Sequence, residues 1–245
     1  MHNTQGGNPV ISNCTFSGNA ADYGGGMSNV NALPDLTDTT FESNTATVFG
    51  GGVFNSEGSN DSFDTCAFDG NTADDSGGGM YNQGSSPTLD ECTFTSNVAS
   101  GTDGHANDRS GDTSSGGGGV FNYDCEPGFT HCTFNGNSAV KHGGGMYNFH
   151  SQVPVSTPAH FWYSATLDRC IYIGNTAERG GGLYQRGTYV VLFSTAFARL
   201  FYERKEHVGI GGNFSVPRGV PREHVVSPRN GRRVRGVHAY GYAEL

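Results

Sequence analysis

The chain has 245 residues, of which 39 are glycine and only 15% are charged, with a formal net charge of −9. No stretch reaches the roughly 18 apolar residues of a membrane-crossing helix, and the opening Met1 to Pro9 has neither the basic nor the apolar part of a secretory signal. The charge is divided: residues 1–187 hold 5 Lys/Arg against 19 Asp/Glu, and residues 188–245 hold 9 against 4, so the first part repels nucleic acid and anionic lipid.

Residues 1–187 are one phrase written six times. The first copy runs Ile11, Cys14, Phe16, Asn19, glycines 24–26, Met27 and Asn29. The second runs Leu36, Thr39, Phe41, Asn44, glycines 50–52, Val53 and Asn55, and the third Phe63, Cys66, Phe68, Asn71, glycines 77–79, Met80 and Asn82. Leu89, Cys92, Phe94, Asn97, glycines 116–119, Val120 and Asn122 make the fourth; Phe129, Cys132, Phe134, Asn137, glycines 143–145, Met146 and Asn148 the fifth. The sixth is Leu167, Cys170, Tyr172, Asn175, glycines 180–182, Leu183 and Gln185. The aromatic positions are spaced by 25, 27, 26, 40 and 38 residues, which gives a unit of about 26 with two insertions of roughly a dozen. A unit this small cannot bury its own core and must bury it against its neighbours, as in a stacked solenoid.

Each unit has two apolar runs of strand length, the Cys-Thr-Phe type and the Gly-Gly-Met-Tyr type, and nothing between them has helical length or period. The expectation is an all-β, single-stranded parallel β-helix of about six coils. Side-chain alternation along a strand places the Cys and Phe columns on the inward face. The Asn column falls where the strand turns, where an amide can adopt the left-handed conformation or bond to backbone and to the next Asn in the stack. Buried cysteines here act as small hydrophobes rather than as a disulfide or zinc framework, since no Cys-x-x-Cys or histidine pattern accompanies them. Cys125 lies outside the column and is expected to be exposed or locally bridged.

The insertion at 100–115 is expected to project as a loop. Its Asp103, Asp108 and Asp112 offer oxygen ligands to calcium, although their spacing is not that of an EF-hand, and a solvated loop is the simpler account. The second insertion, 149–163, ends on Trp162 and Tyr163, whose rings could stack on a sugar or cover the side of the solenoid. For catalysis the candidates are few. Lys141 and Arg179 each stand four residues after a repeat Asn and are expected on adjacent coils, with Asp75 equivalent but farther off; two solvated side chains on neighbouring turns is the competing account. No Ser-His-Asp set, phosphate loop or nucleotide fingerprint occurs. Residues 188–245 are expected to give a short cap strand at 189–193 and then a basic tail without regular structure.

Asn13-Cys-Thr-Phe-Ser-Gly-Asn19 and Gly77-Gly-Gly-Met-Tyr-Asn82 resemble the repeats of bacterial polymorphic outer membrane proteins and related right-handed parallel β-helix proteins of the autotransporter-passenger type. The resemblance covers about residues 9–187. It implies a right-handed, pectin lyase-like coil and a secreted or surface-displayed adhesin-like or structural passenger that meets glycans or proteins. The second reading it implies is a polysaccharide lyase or glycoside hydrolase. Members of that family add an export signal and a membrane anchor; the chain shows neither, so it is expected to be a fragment.

Overall fold

Among the described residues every strand pair is parallel, and each strand bonds to its counterpart about one repeat away. The computed structural model describes residues 1–102, 115–149, 164–186 and 189–198. Their strands form three seven-stranded sheets and one five-stranded sheet, which wrap around a single interior. A coil therefore has four sides rather than the two strands visible in the sequence. In the third coil these are Val53–Ser56, Ser62–Asp64, Ala67–Asp69 and Thr72–Ala73, here termed sides one to four. Side four escapes sequence reading because it is two residues long in three of its five strands.

The first coil begins at His2–Thr4, before the first complete phrase, and the seventh is built from Leu183–Arg186, Tyr189–Phe193 and Ala196–Ala198. Pairing thus continues past residue 187: Tyr189–Phe193 pairs with Ser164–Asp168, and Ala196–Ala198 with Ile171–Ile173. Each side lines the interior with a column of apolar residues. Side one supplies Met27, Val53, Met80, Val120, Met146 and Leu183, and side two supplies Ile11, Leu36, Phe63, Leu89, Phe129 and Leu167, all buried. Side three gives the aromatic column, whose rings stack face to face from Phe16 through Phe41, Phe68, Phe94, Phe134 and Tyr172 to Phe197 at centroid separations of 4.5 to 5.0 Å. Side four contributes alanines, Ala46, Ala73, Ala99 and Ala139.

The cysteine column lies at the bend before side three. Cys66, Cys92, Cys132 and Cys170 are buried, whereas Cys14 in the first coil is exposed. Each thiol lies 3.3 to 3.5 Å from the carbonyl two residues earlier. Thr39 and Thr195 occupy the same column and make the same bond through their hydroxyls, at 3.0 Å. The position therefore requires a small donor side chain that fits the core, and Cys or Thr meets it. Cys125 is not exposed but buried, and burial pushes its thiol above the ordinary range. It follows Ser59 and Ser85 in a separate corner column, two residues before Pro127 as Ser85 is two before Pro87.

Two Asn ladders run through the stack. Asn44, Asn71, Asn97 and Asn137 are fully buried, and each uses Nδ2 to reach both the next Asn Oδ1 and a side-three carbonyl of the preceding coil. They do not take the left-handed conformation themselves. That falls to the preceding residue, Gly18, Ser43, Gly70, Ser96, Gly136 or Gly174. Asn3, Asn29, Asn55, Asn82, Asn122 and Asn148 form the second ladder inside side one. Among the glycines, the middle one of each run has a geometric cause: a Cβ on Gly78 would lie 2.4 Å from Gly118 O and 2.5 Å from Val98 O.

Candidate binding faces

Side one is covered on both surfaces. Between its inward Met or Val and inward Asn stands an outward residue, Phe54, Tyr81, Phe121, Tyr147 or Tyr184. The glycine run folds the end of side four back over these rings, so that Phe49 stacks on Tyr81 at 4.3 Å and His142 lies 4.4 Å from Tyr184. Phe54, Tyr81, Phe121, Tyr147 and Phe149 make a second buried apolar cluster outside the main core. The repeated aromatic of the Met-Tyr-Asn phrase is thus a packing residue in most coils.

Half-buried rings border this cluster at Phe49, in the fifth coil and in the seventh. Tyr123 and Tyr184 are half-buried, and the exposed Arg186 guanidinium lies 5.8 Å from the centre of the Phe149 ring. His142 Nδ1 is 3.3 Å from Ser115 O. Both insertions attach here. Residues 103–114 lie between Thr102 and Ser115, just before strand Val120–Tyr123, and residues 150–163 follow strand Met146–Phe149, its direct partner. The two insertions therefore join opposite ends of one strand pair. Asp103, Asp108, Asp112, Trp162 and Tyr163 are outside the described residues. Among the described residues no group of three or more His, Cys, Asp or Glu could hold a metal ion.

The three residues considered for catalysis have the following surroundings. Asp75 is buried, and its Oδ1 accepts a bond from Ser76 Oγ at 2.9 Å. Lys141 is partly exposed and ion-paired with Glu178 at 3.5 Å. Arg179 is exposed, and its register partner is His142, one residue beyond Lys141. The slip arises because Gly180 stands five positions after Asn175, whereas Gly143 stands six after Asn137.

Sides two and three make the open surface. Their outward residues from the second to the fifth coil are Asp35, Thr37, Ser62, Asp64, Thr88, Asp90, Gly128 and Thr130 on side two, with Thr40, Glu42, Ala67, Asp69, Thr93, Thr95, Thr133 and Asn135 on side three. No cation occurs in either set. Strand pairing sets these rows about 4.8 Å apart along the stack. At the bend between the two sides, His131 bridges Asp90 at 3.1 Å and Arg169 at 2.9 Å, across three coils. Because arginine can only donate, His131 Nε2 accepts from Arg169, and its Nδ1 faces Asp90.

The family of right-handed β-helix regions matches the chain over residues 2–157, well over half its length. The chain is a right-handed β-helix protein. No curated protein and no solved structure matches it. In this β-helix no helix is long and apolar enough to cross a membrane among the described residues. Sequence reasoning missed the open Asp/Thr lattice because it followed the buried columns; the residues flanking each column aromatic held the signal.

Proposed function

We propose that this β-helix is a secreted or surface-displayed passenger, adhesin-like or structural, that meets glycans or proteins through the outward residues of sides two and three. The observation that carries the reading is the outward lattice itself, which in four successive coils holds hydroxyl, carboxylate and amide groups without one cation. Such a surface offers repeated acceptors and donors at fixed spacing to a polymer that also repeats, and it gains by multiple weak contacts. Its similarity to polymorphic outer membrane and autotransporter-passenger repeats supports display outside the cell. The partners of Lys141 and Asp75 weigh against hydrolase or lyase chemistry, since the first is ion-paired at the surface and the second is buried against Ser76.

Incubation of the full chain with a panel of neutral and acidic polysaccharides, with and without calcium, followed by size-exclusion chromatography, tests this. Co-elution with polymers of unchanged length is expected, and it is expected to weaken when Thr93 and Thr95 are replaced by Lys. Shortened polymer would replace the passenger reading by the polysaccharide-degrading one.

A further inference from the structure

Asp61 stands where the repeat has proline. The residue before each side-two strand is Pro9, Pro34, Asp61, Pro87 and Pro127 in successive coils, and each carbonyl accepts from the strand of the next coil at 2.9 to 3.1 Å. The proline corner needs no polar side chain, yet Asp61 places a carboxyl there with 1% of its surface exposed. One oxygen accepts from Asn29 Nδ2 at 2.7 Å, across from the third coil to the second. The same nitrogen donates to Asn55 Oδ1 at 2.9 Å, so both amide hydrogens are used. The other carboxyl oxygen, Oδ1, has no hydrogen-bond partner.

Among the described residues, a carboxylate in this corner would have one donor and no counter-ion. Residues 3–104 contain no Lys, Arg or His. Among the described residues, the other charged side chains of these three coils are all acidic: Asp35, Asp38 and Glu42 on the second, Glu57, Asp64, Asp69, Asp74 and Asp75 on the third, and Asp90 and Glu91 on the fourth, all exposed except the buried Asp75. They can only disfavour a further negative charge. Burial pushes the Asp61 carboxyl up to about 8, against the smaller downward pull of the Asn29 bond.

We propose that Asp61 is a pH latch, which holds the corner between the second and third coils while protonated and releases it on ionising. The fold favours the protonated acid, so the contribution is complete below about pH 4, where the unfolded chain is also protonated, and is lost as pH rises through about 8. Between those limits the folding equilibrium constant falls by at most about tenfold per pH unit from this group alone. A solenoid fixed by nearest-neighbour contacts can open at one corner without losing the other coils.

The test follows unfolding of the full chain in denaturant from pH 5 to 9, beside Asp61→Asn and Asp61→Pro, the latter restoring the residue of the neighbouring corners. The natural chain is expected to lose stability with rising pH and both variants to lose far less. Equal pH dependence in all three would overturn the latch. Should the variants not fold, carbon-13 titration of Asp61 in the natural chain decides: a midpoint near 8 supports it, and one in the ordinary aspartate range below 5 refutes it.

Discussion

Asn97 Oδ1 accepts two hydrogen bonds from one residue, the backbone N–H of Asn71 at 3.0 Å and its Nδ2 at 2.9 Å. Asn97 Nδ2 in turn donates to Phe68 O and to Asn137 Oδ1. Replacing Asn97 by Asp keeps the shape, removes both side-chain donors and buries a charge. The expected loss is more than about 3 kcal/mol in denaturant unfolding. A loss under about 1 kcal/mol would mean that the ladder is not a principal tie between coils.

The aromatic column makes a sharper demand. Phe68 and Phe94 are fully buried with their rings 4.5 Å apart and 5° from parallel. Phe94→Ala is expected to cost about 3–5 kcal/mol, and Phe94→Asp to abolish cooperative folding. A Phe94→Asp chain that melts as the natural one does would contradict the register.

Two glycines separate geometric need from chance. Gly78→Ala drives a Cβ to 2.4 Å from a backbone oxygen in the next coil, whereas a Cβ on Gly128 meets nothing within 4 Å. Gly78→Ala should therefore destabilise by several kcal/mol. Gly128→Thr, which continues the side-two row of Thr88 and Thr166, should leave the melting temperature unchanged or raise it.

Thiol accessibility tests the cysteine column. Of the six free thiols only Cys14 is exposed. A water-soluble thiol reagent should label about one cysteine in the native chain and six in denaturant. Fast labelling of Cys125 in the native chain would return it to the surface. Cys92→Ser should be milder than Cys92→Val, because only serine keeps a donor for Asp90 O.

Deleting residues 103–114 should leave a cooperative fold with stability changed by about 1 kcal/mol or less, since the other coils turn from side four to side one without such a segment. Loss of the whole transition would place a rung inside the deleted stretch.

What the sequence displays is whatever repeats with a side chain of its own. Phe68, Cys92 and Asn97 stand in columns because every coil must fill the same interior volume. Side four was hidden because its inward residues are small, Ala73 and Ala99, and its strands are too short to alternate. The left-handed bends were misplaced by one residue, because the unusual Asn beside them is the one that bonds, while Gly70 or Ser96 supplies the positive φ. Cys125 and Asp61 were both readable through the prolines. One sits two residues before Pro127 and the other replaces a proline, but a weak column of five is overlooked beside strong columns of six. The pairing of Arg179 with His142 depended on a single missing residue in the sixth coil, which shows only when the Asn column is counted against the glycine runs.

Because each coil is tied almost wholly to the coils directly above and below, a pulling force along the axis meets the bonds of one interface at a time. Detaching an ordinary coil of about 26 residues would lengthen the chain by about 90 Å, and a coil carrying an insertion by about 140 Å. By length alone, a coil that carries an insertion thus releases more chain than an ordinary one before the next interface is loaded.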